Sequence, residues 1–415
     1  MSTTPAMAAR FTALDGWRGL CALLVAIYHF HTTSHFQQVA LVRHAYLFVD
    51  FFFVLSGFVI THAYSQRIAT ARDAGTMIWR RLGRLWPLHV ALLGAFVALE
   101  LASPIIAAML GASRSAASAF DPASGAQLPA IATNFLLLHG LGIHDRLTWN
   151  FPSWSISTEL WTYVIFGVVA LATRGRMLLA ALAIALVGWS VVACFSTRMI
   201  AVDFELGLFR CLAGFFVGHV AFRLMQAHPV KLAAPTVWEV AAVVSILTFV
   251  SLAGRTRMEL AAPIVFGAVV WLFALERGAV SRLLQGQPFA MLGLVSYSIY
   301  MVHALVIVLV HRMVTVLEQL GGLELSTTAT VDGSRALVVS FGTPWAMDAV
   351  VGLYVMVVIG LAMLSWRYIE MPCQRLWNGK AAAQGSPLSL HIGPVARQAV
   401  TTPGIEESAK PAVPA

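Results

Sequence analysis

Long apolar stretches alternate with short polar segments along most of the chain. A helix needs roughly 20 mainly apolar residues to cross the hydrocarbon core of a bilayer. Ten stretches approach that length, and they lie at residues 13–31, 45–64, 86–110, 155–172, 177–195, 205–225, 237–253, 259–276, 290–311 and 345–367. The pattern therefore predicts an all-α polytopic membrane protein with about ten transmembrane helices.

Basic residues are distributed unevenly among the connecting segments. Most of the 27 Lys and Arg residues lie in the segments that share a side with the N-terminus. Because cytoplasmic loops are enriched in Lys and Arg, we predict that both termini are cytoplasmic. The same pattern divides the chain into a cytoplasmic N-terminal segment 1–12, a membrane core 13–372 and a disordered cytoplasmic tail 373–415.

Three further segments do not fit a transmembrane helix. Residues 129–141 are apolar but short, and they predict a re-entrant or interfacial helix. Residues 111–128 are rich in Ala and Ser, and residues 312–344 are rich in Gly and Thr, so both are expected to be solvated loops.

Composition agrees with the apolar pattern. Hydrophobic residues make up 59% of the chain and charged residues 11%, whereas soluble domains have about 45–50% and 25%. Mean hydropathy is +0.79 and the isoelectric point is near 9.7. The basic residues are spread between the apolar stretches rather than massed, so the positive charge does not indicate a nucleic-acid-binding protein.

The first apolar stretch carries Asp15, Arg18 and His29. Arg18 and His29 lie on one helical face, within about 20° of each other and about 16 Å apart along the axis. Asp15, three residues before Arg18, is placed to neutralise or orient it. The face between them predicts a shallow groove formed by Ala22, Val25 and Ala26. The structural alternative is a snorkelling arginine near the interface and a hydrogen-bonded core histidine.

The sequence WRRLGRLWPLH contains the densest basic cluster, with Arg80, Arg81 and Arg84. Arg81 and Arg84 are three residues apart, so their guanidinium groups point the same way on a helix. Such a cluster commonly sets topology or contacts anionic lipid. Paired arginines beside an intramembrane arginine also suit a ligand with several phosphates, which guanidinium groups bind bidentately.

Two later segments place polar residues in apolar surroundings. NFPSWSISTELWTY contains Trp154, Ser157 and Glu159. We predict that Glu159 lies beside His29 and orients its imidazole; the alternative is an aromatic belt with a structurally paired carboxylate. LVSYSIYMVHALV contains Tyr297, Tyr300 and a second intramembrane histidine, His303. The four cysteines lack metal-ligand spacing, so no metal site is expected.

Together these stretches resemble one family. LDGWRGLCALLVAIYHF, VDFFFVLSGF, RRLGRLWPLH, PSWSISTELWTY and SYSIYMVH, followed by EMP, occur in the order found in the membrane-bound acyltransferase-3 family. Its members O-acylate cell-surface polysaccharides, lipopolysaccharide and related acceptors. Trp17 departs from the family's Leu or Ile, and no esterase-like domain is expected after the last apolar stretch, so the chain resembles the stand-alone form.

The resemblance implies transfer of an acyl group, expected to be acetyl, from acyl-CoA to a hydroxyl of a surface or exported glycan or glycolipid. No permanently bound cofactor is expected, and the location implied is the bacterial inner membrane. The alternative function is a transporter or flippase of a lipid-linked glycan; oligomeric state is not indicated.

The resemblance and the residue pattern together assign roles. Catalysis is expected from His29, Glu159 and Asp15, with His29 as general base or acyl carrier. Arg18, Arg81 and Arg84 are expected to hold the phosphates of acyl-CoA. The acceptor is expected to contact Trp154, Ser157, Tyr297, Tyr300 and His303.

Overall fold

The computed structural model describes residues 11–109, 126–174, 176–331 and 334–383, and helices dominate this part of the chain. The helices are α1 Thr12–His29, α2 Ala40–Arg43, α3 Phe48–Tyr64, α4 Ala71–Met109, α5 Leu128–Phe135, α6 Trp154–Ala172, α7 Leu178–Phe195, α8 Gly207–Ala227, α9 Pro235–Ala253, α10 Ala262–Phe273, α11 Ala279–Leu284, α12 Gln287–Gly321, α13 Pro344–Ser365 and α14 Met371–Ala383. Short 3₁₀ segments lie at Phe36–Gln38, Ala45–Leu47, Phe151–Ser153 and Arg257–Ala261, and a π-helical turn at Trp366–Glu370.

Eight helical stretches among the described residues are long and apolar enough to cross a membrane. The prediction of an all-α polytopic membrane protein is therefore confirmed, and these eight coincide with eight of the ten predicted stretches. The other two, 13–31 and 259–276, contain α1 and α10. These two helices are not among the eight, because Asp15, Arg18 and His29 make α1 more polar and because α10 has only 12 residues.

Close packing of helix backbones holds the centre of the bundle together. A Cβ atom at Gly57 of α3 would lie 1.8 Å from the carbonyl oxygen of Phe215 on α8, and one at Gly218 would lie 1.9 Å from that of Val54. Small residues permit such an approach because they have little side chain at the contact. The result is that buried Asp50 on α3 meets buried Arg210 on α8, with an Nη2–Oδ2 distance of 2.7 Å.

The segment 312–344 is not the loop that its Gly and Thr content predicted. Helix α12 extends to Gly321 and ends against Gly322, which has a φ of +57°. The segment then forms an antiparallel hairpin of β1 Ser326–Val331 and β2 Ser334–Val339. Val339 of β2 donates to the carbonyl of His31 at 3.0 Å and accepts from Thr33 N at 3.2 Å. These bonds tie the hairpin to the segment that follows α1.

The expected disordered tail starts as a helix. Residues 373–383 belong to α14, which corrects the predicted boundary at 373. The physical cause is Trp377, whose ring contacts those of Trp79 and Trp86 on α4 and occupies the space beside Gly83. The remainder of that tail, residues 1–10 of the expected N-terminal segment and most of the expected loop 111–128 lie outside the described residues. The predicted short helix at 129–141 is present as α5.

Candidate active site

A cavity lies between α1, α3, α4, α6 and α12. Six predicted site residues line it: Arg18, Arg81, Arg84, Glu159, Tyr297 and Tyr300. Its other lining residues are Val49, Phe52, Leu55, Ser56, Val59, Ile60, Leu85, Ser155, Ile156, Tyr163 and Ser296. The tertiary structure thus brings together charged groups from α1, α4 and α6 and tyrosines from α12.

Arg18 is fixed on the wall that α1 shares with α12. Its Nε donates to Ser296 Oγ at 2.7 Å, and its Nη2 donates to the carbonyl of Gly293 at 2.7 Å. Asp15 Oδ1 lies 3.1 Å from the same Nη2. The predicted pairing of Asp15 with Arg18 is therefore present, and it leaves Arg18 oriented towards the cavity.

Arg81 and Arg84 give the cavity a positive wall on α4. The guanidinium carbon of Arg81 lies 5.8 Å from the ring centre of Tyr64 and 5.9 Å from that of Tyr163. Among the described residues, no carboxylate oxygen lies within 4.0 Å of a side-chain nitrogen of Arg81 or Arg84. The guanidinium groups of Arg81 and Arg84 therefore form no salt bridge with a described carboxylate, an arrangement that favours an anionic ligand.

Glu159 is bound by hydroxyl groups and does not meet His29. Ser56 Oγ donates to Glu159 Oε1 at 2.6 Å, the hydroxyl of Tyr163 donates to the same oxygen, and the two hydroxyls are 2.8 Å apart. Within the described part of the chain, Glu159 makes no contact with His29. The prediction that Glu159 orients His29 is therefore wrong.

His29 is paired with His303 instead. His303 Nε2 lies 3.2 Å from His29 Nδ1, and the rings are stacked with centres 5.1 Å apart. The ring of Phe151 contacts both, at 4.9 Å from His29 and 5.9 Å from His303. The ring of His303 is also 5.8 Å from that of Tyr300, which lines the cavity. The histidine pair thus lies directly behind the Tyr300 end of the cavity.

The two predicted tyrosines line the cavity with hydroxyls that already have protein partners. Tyr300 donates to the carbonyl of Pro152 at 3.0 Å and is 2.9 Å from Ser155 Oγ. Tyr297 donates to the carbonyl of Leu85 at 2.5 Å. The rings rather than free hydroxyls therefore form this wall.

Trp154 and Ser157 do not line the cavity, which corrects their predicted placement. The Trp154 ring lies 5.6 Å from the guanidinium carbon of Arg210. Ser157 Oγ donates to the carbonyl of Leu137 at 2.6 Å and accepts from Gly140 N at 3.1 Å. Ser157 is about 160° around the helix from Glu159, since each residue turns the helix by about 100°. Its position two residues away therefore points it to the opposite side of α6.

The groove expected on α1 is filled. Ala22, Val25 and Ala26 are buried, and the carbonyl of Ala26 accepts a hydrogen bond from Tyr354 on α13 at 3.0 Å. Helix α12 packs along the length of α1, so any elongated ligand in the cavity would follow α3 and α6 rather than α1.

Three serines of the cavity were missed as site residues from the sequence. Ser155 precedes Glu159 by four residues on α6, so the helical period places both on the same face. The spacing could therefore have identified Ser155 as a candidate site residue from the sequence. Ser56 on α3 and Ser296 on α12 contact Glu159 and Arg18, and only the packing of separate helices reveals those contacts.

A family model described as an acyltransferase domain matches residues 11–367. A stretch of 90 residues, or 21% of this chain, is 39% identical to "Protein 2 in picA locus" from Rhizobium radiobacter. That stretch spans 45% of the relative's length. No solved structure matches the chain.

Proposed function

The chain belongs to the acyltransferase-3 family, and on that premise we propose that it moves an acyl group from acyl-CoA to a hydroxyl of a cell-surface or exported glycan or glycolipid. The observation that carries the proposal is the cavity, which has three arginines on its walls and ends at Tyr300 in front of the His29–His303 pair. A bacterial inner membrane is the proposed location, because acyl-CoA is present on its cytoplasmic side.

The donor's phosphates are assigned to the arginine wall. Coenzyme A carries a diphosphate and a 3′-phosphate, and guanidinium groups bind such oxyanions through paired N–H donors. Arg81 and Arg84 supply two guanidinium groups from one helix face, and Arg18 supplies a third from α1. The pantetheine arm then follows Leu55 and Phe52 towards Tyr300, whose ring centre is 5.8 Å from that of His303.

The side chains at the Tyr300 end of the cavity favour a short acyl group. Phe52 and Tyr300 form its wall there, with ring centres 5.8 Å apart, and Ser155 is hydrogen bonded to Tyr300. A long acyl chain would have to displace these side chains. Acetyl-CoA is therefore the proposed donor.

His29 is the proposed general base. We assign the proton of the hydrogen bond between the two rings to His29 Nδ1, so that Nε2 of His303 accepts it and Nε2 of His29 keeps the lone pair that a base requires.

Acyl transfer proceeds by addition of the acceptor oxygen and elimination of the thiolate of coenzyme A. The acceptor oxygen attacks the thioester carbonyl carbon while its proton passes to His29 Nε2. The C–S bond then breaks, and the thiolate of coenzyme A takes that proton, so the products are an ester and free coenzyme A. In the covalent variant, His29 Nε2 attacks the thioester carbonyl carbon and the thiolate of coenzyme A leaves. The acceptor oxygen then attacks the acyl-imidazole, its proton passes to the thiolate, and the C–N bond to His29 breaks, so the products are the same.

The test uses the purified full-length chain in lipid nanodiscs, with radiolabelled acetyl-CoA and extracted surface glycans. We expect label in the glycan fraction and release of one coenzyme A for each acyl group transferred. Binding of glycan without any transfer or coenzyme A release, together with glycan flux across proteoliposomes, would instead establish the transporter alternative and reject the proposal.

A further inference from the structure

The chain just before α6 places Phe151 against both members of the histidine pair. The centre of the Phe151 ring lies 4.9 Å from that of His29 and 5.9 Å from that of His303, edge-on to both. Because the two imidazoles also stack on each other, the three rings form one cluster in which Phe151 limits the rotation of either histidine. We call residues 149–153 the WNFPS segment, after their sequence.

The WNFPS segment is hydrogen bonded to α12 on both sides of Phe151. Asn150 Nδ2 donates to the carbonyl of Met301 at 3.2 Å, and the carbonyl of Pro152 accepts from the hydroxyl of Tyr300 at 3.0 Å. Both partners lie in the turn of α12 that leads to the second histidine of the pair. The phenyl ring and that histidine are therefore held in a fixed relation.

The backbone enters the WNFPS segment in a conformation that side chains other than glycine rarely adopt. Trp149 has a φ of +52°, in the left-handed region. Its indole is buried, and its Nε1 donates to the carbonyl of Gln127 at 3.1 Å. Such a backbone persists where surrounding contacts hold it, and it is found often at functional sites. The contacts of the indole thus maintain the turn from which Phe151 projects.

A buried histidine holds the other end of the WNFPS segment. Ser153 Oγ donates to the carbonyl of Asn150 at 2.7 Å, and His139 Nε2 lies within hydrogen-bonding distance of the same Oγ, at 2.9 Å. His139 belongs to the connection between α5 and α6 and is 3% exposed, and Ser153 is fully buried. The bond between them therefore ties the segment to a part of the chain that does not touch the cavity.

His139 is in turn held against α4. Its ring stacks on that of His89, with the centres 5.4 Å apart and the planes 1° from parallel. His89 Nε2 donates to the carbonyl of Asn134 at 2.8 Å, and the amide of Asn134 donates to Thr148 Oγ1 at 2.8 Å. All four side chains are buried. A buried hydrogen-bonded network favours one arrangement, because unpaired polar groups would be costly there.

We infer that His139 and Ser153 are positioning residues for the proposed acyl transfer, and that they act through Phe151 on the orientation of His29. The inference rests on the proposed function, because that function makes His29 the base. A base must lie within hydrogen-bonding reach of the proton it takes, and a displacement of about 1 Å can lower the rate roughly 100-fold. Loss of the bond between His139 and Ser153 should therefore lower kcat. It should leave donor binding unchanged, since neither residue lines the arginine-walled cavity.

The experiment measures kcat and the KM for acetyl-CoA with the full-length protein in nanodiscs. Ser153→Ala removes one oxygen atom and His139→Leu removes its partner, and the two are also combined. In His139→Gln the side-chain amide can still bond to Ser153, whether as donor or acceptor. The matched control is His144→Leu. His144 lies in the same connection and is hydrogen bonded to a hydroxyl, Thr133 Oγ1, at 2.6 Å, but it makes no hydrogen bond to the described WNFPS segment.

We expect Ser153→Ala and His139→Leu each to lower kcat about tenfold while the KM for acetyl-CoA changes by less than about twofold. The combined variant should lose no more than the worse single variant, because either substitution breaks the same bond. His139→Gln and His144→Leu should stay within about threefold of the wild type. Equal losses in His139→Gln and His139→Leu, additive losses in the combined variant, or a raised KM at constant kcat would overturn the inference.

Chemical modification separates this inference from the proposed function. Diethyl pyrocarbonate reacts with imidazole nitrogens, and mass spectrometry of the peptides gives the rate at His29 without any acyl transfer. That rate should change about threefold or more in Ser153→Ala and stay constant in His144→Leu, with the exposed His228 as internal reference. A wild-type protein that transfers no acyl group, but in which Ser153→Ala alters the rate at His29, would refute the proposed function alone. Active protein in which Ser153→Ala changes neither kcat nor that rate would refute the positioning role alone.

Discussion

The ring of His303 stacks on that of His29, with Nε2 of His303 3.2 Å from Nδ1 of His29. His303 is fully buried, and the two residues come from α12 and α1. Each imidazole therefore acts as the hydrogen-bonding partner of the other, in the place where a carboxylate was expected. In the proposed mechanism His303 is a positioning residue, because it would act on the reaction through His29.

Removal of the proposed base gives the sharpest test of catalysis. His29→Ala should lower kcat by about 10²–10⁴-fold, the usual contribution of a general base. Steady-state transfer assays measure kcat, and calorimetry should show unchanged coenzyme A binding. Activity within tenfold of wild type would exclude His29 as the base.

His303 should respond to conservative replacement in a way that a packing residue would not. In His303→Gln the amide oxygen can still accept from His29 Nδ1, so kcat should fall only about tenfold, whereas His303→Ala should approach the loss in His29→Ala. The comparison is made on pH–rate profiles of both variants. Equal activities in the two would indicate that His303 has no positioning role.

The arginine wall should control donor affinity. Arg81→Gln and Arg84→Gln each remove a charge-assisted hydrogen bond worth about 1.5–3 kcal/mol, so the KM for acyl-CoA should rise roughly 10- to 100-fold. Arg80→Gln is the matched control, since Arg80 is adjacent on α4 and does not line the cavity. A fall in kcat with unchanged KM would contradict phosphate binding.

Glu159 should affect the donor rather than the base. Glu159→Gln keeps an oxygen for Ser56 and Tyr163 but removes a negative charge from the cavity, so the KM for acyl-CoA should fall a few-fold at roughly constant kcat. The pH–rate profile should not move, because Glu159 does not touch His29. A shift of the pH–rate profile in Glu159→Gln would instead support the prediction from the sequence that Glu159 orients His29.

The buried ion pair between α3 and α8 should dominate the stability of the central helices. Arg210→Met leaves Asp50 buried without its partner and should cost about 3–5 kcal/mol of unfolding free energy. Thermal unfolding in detergent measures the loss.

Asp145→Asn provides the control for that measurement. Asp145 lies in an exposed loop and pairs with neighbouring Arg146, whose hydrogen bond holds the pKa of this carboxyl below its usual value. Solvent screens an exposed pair of this kind, so its loss should change stability little. If both substitutions lowered the free energy of unfolding equally, the buried pair would contribute no more to stability than the exposed pair.

The sequence by itself determined the class of the protein and named six residues that line one cavity. Apolar stretches of membrane-spanning length cannot form a surface that faces water. Composition and pattern are therefore enough to predict a helical membrane core. The spacing of Asp15, Arg18, Arg81 and Arg84 fixed which of them share a helix face, because helical periodicity is a local property.

Tertiary structure decided which helices meet and therefore which residues act together. The periodicity of α6 does not show whether Glu159 contacts α1 or α3. That choice depends on backbone contact through glycines such as Gly57 and on the tight packing of α1 on α12. Glu159 consequently binds Ser56, and His29 binds His303. The β1–β2 hairpin is likewise held in place because β2 pairs with the chain after α1, a contact between segments some 300 residues apart. Such long-range contacts depend on the fit of whole surfaces, which no local pattern encodes.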